Sequence, residues 1–79
     1  MNNNDITNIA STAQMIVNGY AFTLMENDMV RVVYLHEPHH ALIMTQNGET
    51  IETSMDDIEI DIVQGYWKNN KKTLEKVYA

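Results

Sequence analysis

Five consecutive residues, His36-Glu37-Pro38-His39-His40, hold all three histidines of the chain. Their order fits H-E-x-x-H, in which two histidines four apart on a helix hold zinc and the glutamate between them acts as general base. That chemistry depends on the helix, because only there do residues i and i+4 share a face. Here the motif lies between Val32-Val33-Tyr34-Leu35 and Ala41-Leu42-Ile43-Met44, two runs that read as strands. Pro38 lacks an amide donor and pushes Glu37 away from helical geometry. The expected setting is a five-residue hairpin loop with His36 and His40 at opposite stems. A catalytic zinc also needs a third protein ligand, an open coordination position and a cleft. The pattern therefore predicts a polar loop, with His36, His39 and His40 as candidate metal ligands and no catalysis. Protonating all three would change the formal charge from −6 to −3, which makes a pH-sensing role the other use of the loop.

The remaining reactive patterns are weaker. Asp56-Asp57-Ile58-Glu59-Ile60-Asp61 is rich in carboxylates but lacks the central glycine and the twelfth-position glutamate of a calcium loop. It reads as an acidic helix start. There is no cysteine, no glycine-rich phosphate loop and no G-x-S-x-G elbow, and the two serines, Ser11 and Ser54, suit helix-related positions better than catalysis. The sequence calls for no cofactor and argues against an enzyme.

The elements that position these residues belong to one small domain spanning residues 1–79, with residues 1–4 expected to be disordered. A chain with 44% apolar residues has enough apolar surface to fold. Zero cysteines favour a reducing, cytoplasmic setting. The first residues carry no positive stretch, and the longest apolar runs are four residues, so neither a signal peptide nor a membrane span is expected. Eleven acids face five bases, and they are unevenly spread. Residues 1–65 hold ten acids and Arg31, net −9; residues 66–79 hold four lysines and Glu75, net +3. Phosphate backbones would be repelled by most of such a surface, which argues against nucleic acid as the partner.

Periodicity divides the chain into an α+β order of helix, four strands, helix. Ile6, Ile9, Ala10, Ala13, Ile16 and Val17 recur at helical spacing, with Asn4 or Asp5 as cap and Asn18-Gly19 as the stop, so a helix is predicted over 5–18. Residues 20–25 and 29–35 then alternate as strands around an Asn27-Asp28 turn, and residues 41–46 and 49–53 form a second hairpin about Asn47-Gly48. After Ser54 the pattern becomes helical again. Met55, Ile58, Ile62 and Tyr66 form one stripe, and Ile60, Val63 and Trp67 its neighbour, together giving a broad inward face. Gly65 and Asn69-Asn70 mark the place where this helix can bend or break.

Register carries the functional inference. A two-residue Asn27-Asp28 turn sets Tyr20, Phe22 and Leu24 on one sheet face with Val33 and Leu35, and Met25, Val30, Val32 and Tyr34 on the other. Both faces are then apolar, and something must cover each. The expected function is a non-enzymatic homodimer or partner-binding module, with Met25, Val30, Val32, Tyr34 and Trp67 as interface candidates. The alternative is a small-ligand or metal-binding protein, or a weak enzyme, using the His36 to His40 loop.

Overall fold

The computed structural model describes residue 9 and residues 11–78, with side chains through residue 72. Among the described residues, five strands precede one long helix: β1 (Met15–Val17), β2 (Tyr20–Leu24), β3 (Met29–Tyr34), β4 (Ala41–Thr45), β5 (Thr50–Thr53) and α1 (Asp57–Tyr78). The strands form a single antiparallel sheet in chain order, β1-β2-β3-β4-β5. No helix among the described residues is long and apolar enough to cross a membrane.

Where the helix expected over 5–18 should have continued, residues 15–17 form strand β1 instead, and the sheet has five strands rather than four. Residues 1–8 and 10 lie outside the described residues, so the expected disorder at 1–4 and the start of that helix fall there. Residues 9, 11 and 12 are helical, with the Ala13 amide donating to the Ile9 carbonyl at 3.1 Å, and strand β1 follows. The cause is Asn18-Gly19. Both residues take positive φ, 49° and 85°, so the pair is a two-residue hairpin turn rather than a helix stop. It folds Met15–Val17 back along β2, where Met15 faces Phe22 and Val17 faces Tyr20. Ile16 and Val17 are β-branched and suit a strand as well as the helical period they also match.

The hairpin between β2 and β3 corrects the predicted register by one residue. The Met25 amide donates to the Met29 carbonyl at 2.8 Å, so the loop is residues 26–28, three residues long, with Asp28 at φ 61°. A type I turn closed by a residue in the left-handed region builds such loops. One extra loop residue exchanges the faces of the strand beyond it. Phe22 now faces Val32, Leu24 faces Val30, and Tyr20 faces Tyr34. The loop at residues 46–48 is built alike, with Thr45 N–H to Glu49 C=O at 2.8 Å and Gly48 at φ 88°.

This register gathers the apolar side chains on one face. Phe22, Val30, Val32, Leu42 and Met44 are buried there with Tyr20, and α1 covers them with Val63 and Trp67, joined by Met55 from the approach to the helix. The Phe22 and Trp67 rings stack at 6.2 Å. The other face is mixed. Ala21 and Val33 are buried with Ile9, but their neighbours in the register include Thr23, Arg31 and Glu52. The two-apolar-faces premise for a sheet-to-sheet dimer is therefore replaced by one apolar face and its helix.

Helix α1 runs unbroken through Gly65 and the asparagine pair, where Asn70 Nδ2 donates to the Tyr66 carbonyl at 2.8 Å. Its cap is Asp56, whose Oδ1 accepts the Glu59 amide at 2.8 Å. The inward stripe is narrower than expected. With Val63 and Trp67 facing the sheet, a rotation of about 100° per residue turns Ile62 to the flank and Ile58 outward. They are 44% and 74% exposed.

Candidate functional site

The β3–β4 loop is shaped by two successive turns. Tyr34 N–H to His40 C=O, at 3.0 Å, closes it around residues 35–39; within it the Glu37 amide reaches the Tyr34 carbonyl at 3.1 Å and the His40 amide the Glu37 carbonyl at 2.9 Å. Pro38 occupies the second position of that last turn, where its fixed φ belongs. The turn brings Glu37 and His40 together, with Oε2 3.3 Å from Nε2. The His39 and His40 rings meet edge to face at 4.5 Å. One ligating atom from each of Glu37, His39 and His40 lies within 4.8 Å of the other two. Ser54 fixes the loop from beneath, donating from Oγ to the His39 carbonyl and accepting the Ala41 amide at 3.1 Å.

His36 faces elsewhere. Its ring lies edge-on to Tyr34 at 5.4 Å and against Gly19, where a Cβ would stand 3.0 Å from His36 Cδ2. Gly19 is therefore required twice, by its φ and by this close approach. Of the three predicted metal candidates the fold joins His39 and His40 and leaves out His36, while Glu37 enters in its place.

Behind the loop a chain of polar groups runs into the core. His40 Nδ1 is 2.9 Å from Glu59 Oε1, and the Tyr20 hydroxyl donates to Glu59 Oε2 at 2.7 Å. Tyr20 stacks on Tyr34 at 4.5 Å and lies 6.0 Å from the Tyr66 ring, whose hydroxyl accepts from Asn18 Nδ2 at 3.1 Å. Burial raises the Tyr20 pKa well above the ordinary tyrosine value, and the hydrogen bond to the Glu59 carboxylate adds to it. Tyr20 therefore stays a hydroxyl donor at neutral pH. Both ring nitrogens of His40 face carboxylate oxygens; an imidazolium donates at both, and the neutral ring donates at one and leaves the other as acceptor or ligand. The arrangement suits cation binding and proton sharing. Glu59 and Tyr20 were legible only as a helix-start charge and a strand residue, because 39 positions separate them. Glu37 had a local signal in Pro38.

The interface candidates separate by burial. Val30 and Val32 are fully enclosed beneath α1, and Trp67 is buried there with Nε1 donating to the Gln46 carbonyl at 2.8 Å. Tyr34 is half-buried against Tyr20, and Met25 is exposed beside the 26–28 loop. Among the helix residues with described side chains, the large apolar ones that are exposed are Ile58 and Ile62, four residues apart. On the same outer side Gly65 is open, with nothing within 4 Å of a Cβ placed on it.

A five-stranded antiparallel meander closed on one face by a C-terminal helix, with an ionisable cluster at one end, defines a small α+β domain. The chain belongs to a family of unknown function, DUF7723, whose model matches residues 3–74. No curated protein and no solved structure matches it.

Proposed function

We propose that the protein is a non-enzymatic module that works by association, its partner a second copy of the chain docked through the outer face of α1. The observation that carries this is the Ile58, Ile62 and Gly65 strip. A mid-helix glycine costs about 1 kcal/mol relative to alanine. Within the fold nothing requires glycine at position 65: it has no positive φ, and no neighbour would touch a Cβ. A flat spot beside two exposed isoleucines instead serves the approach of another helix.

Charge supports a twofold, antiparallel pairing. With Gly65 near the axis, the acidic turn at residues 57–61 of one copy lies beside the lysine-bearing turn at 68–72 of the other. Parallel pairing would oppose like charges. One helix pair buries less than a standard interface, so the association is weak and concentration-dependent. The cysteine-free, acid-rich composition supports a cytoplasmic setting away from nucleic acid and membranes.

Sedimentation velocity over a concentration series tests this. The expected result is a shift from 9.1 kDa to twice that mass, lost in Ile62→Glu with the circular dichroism unchanged. Gly65→Ala should raise monomer stability while weakening the dimer. A single 9.1 kDa species at millimolar protein would overturn the reading.

A further inference from the structure

We propose that Glu37, His39 and His40 form a binding site for a divalent transition-metal ion, with Glu59 and Tyr20 as its supporting groups. The site is separate from the outer face of α1 and does not depend on association through it.

Three observations lead to it. The first is the donor set. Two imidazoles and one carboxylate suit zinc, nickel or copper, whereas magnesium and calcium prefer all-oxygen surroundings. The second is spacing. An ion about 2.0–2.1 Å from each of two tetrahedral ligands holds those ligands about 3.3 Å apart. Glu37 Oε2 and His40 Nε2 stand at 3.3 Å, and a ring nitrogen of His39 lies within 4.8 Å of a ligating atom on each of Glu37 and His40. The backbone turn through Pro38, rather than a helix, creates this proximity.

The third is the support behind His40. A metal-bound histidine ordinarily donates its other ring N–H to a carboxylate or carbonyl, which fixes the tautomer and the ring orientation. Glu59 Oε1 stands 2.9 Å from Nδ1, which directs Nε2 outward to Glu37. Glu59 is itself held by the Tyr20 hydroxyl at 2.7 Å and is largely buried, its side chain only 14% exposed. A loop whose only role was to be polar would have no use for a ring oriented in this way from the core. His40 is 32% exposed and Glu37 55%, so an ion can enter from solvent without the core opening. Water completes the coordination.

This assignment uses the letters of the H-E-x-x-H pattern in different roles. The first histidine is excluded by its packing on Gly19 and Tyr34, and the glutamate is a ligand rather than a base. His36 thus becomes the internal control.

Isothermal titration of the full chain with zinc chloride at pH 7.5 is the test, with cobalt absorption as a second readout. The expected result is one ion per chain. His39→Ala and Glu37→Ala should each weaken binding at least about tenfold, and His36→Ala should leave it unchanged. Glu59→Ala should weaken it by about 10–100-fold. Glu59→Gln, which keeps an acceptor for Nδ1–H, should recover part of that loss and restore the cobalt spectrum; Tyr20→Phe should fall between wild type and Glu59→Ala. Circular dichroism of each variant establishes that it is folded. Absence of heat at 100 μM protein, or equal losses in His36→Ala and His39→Ala, would overturn the assignment.

Discussion

The two sides of helix α1 are fastened to the sheet by opposite kinds of chemistry. Toward the β4–β5 hairpin the contacts are neutral: Trp67 Nε1 donates to the Gln46 carbonyl, and Gln64 Nε2 donates to the Gly48 carbonyl, each at 2.8 Å. Toward the β3–β4 loop they are ionisable: Tyr20, Glu59, His40 and Glu37 form a connected series. Neutral donors to backbone carbonyls hold their geometry whatever the pH. A series of ionisable groups instead joins donors and acceptors whose roles differ between protonated and deprotonated forms. One helix thus carries a neutral attachment and an ionisable one, and the proposed metal site belongs to the second.

Substitutions rank the two attachments. The largest effect belongs to the neutral side, because Trp67 also fills the core against Phe22: Trp67→Ala should cost about 3–5 kcal/mol, most of the stability of a domain this size. Urea unfolding monitored by circular dichroism measures it. A loss below about 1 kcal/mol would mean that the sheet is stable without the helix. Next comes Glu59→Ala, which deprives Tyr20 and His40 of their shared acceptor and should cost about 1–3 kcal/mol. In a double-mutant cycle with Tyr20→Phe the two losses should fall short of additivity, since each variant removes the same hydrogen bond. Strict additivity would break the series into unrelated contacts.

The smallest effect is read by pH. The folded chain holds the Tyr20 proton more tightly than the unfolded chain, whose tyrosines titrate near about pH 10. This contribution to stability is therefore complete below about pH 10 and is lost as pH climbs toward the folded-state value. Wild-type stability should decline above about pH 10 more steeply than that of Tyr20→Phe, in denaturant midpoints measured from pH 8 to 11. Parallel curves would show that Tyr20 is not the group responsible.

The strands β2 to β5 and the C-terminal helix were legible because their signals are local: alternating Tyr20, Phe22 and Leu24, the Val-rich run at β3, and a helical period after Ser54. What failed was the reading of turns. Asn-Gly occurs twice; at 18–19 it is a two-residue turn with both φ positive, whereas at 47–48 only Gly48 is, within a three-residue loop. The dipeptide permits both. The same ambiguity at Asn27-Asp28 shifted β3 by one residue and moved Val30 and Val32 from a surface to the core. In the loop, the histidine motif assumes helical spacing, whereas the chain supplies a proline turn that gathers Glu37, His39 and His40 and leaves His36 against Tyr34 and Gly19. Glu59 and Tyr20 carry no linear signal at all, being joined only by tertiary folding.

Strand order equal to chain order has a consequence for how the molecule is made. Each hairpin closes a loop of two to five residues, so the sheet can assemble by successive local pairings at little entropic cost. Its apolar face, however, waits for Val63 and Trp67, which lie beyond all five strands in the sequence and leave the ribosome after them. At 5–20 residues per second that interval lasts about one second or more, during which Phe22, Leu42 and Met44 have no cover of their own. The hazardous moment for aggregation is thus set by the distance along the chain between the sheet and Trp67, and delayed arrival of the helix, rather than slow strand pairing, is what would expose the protein to it.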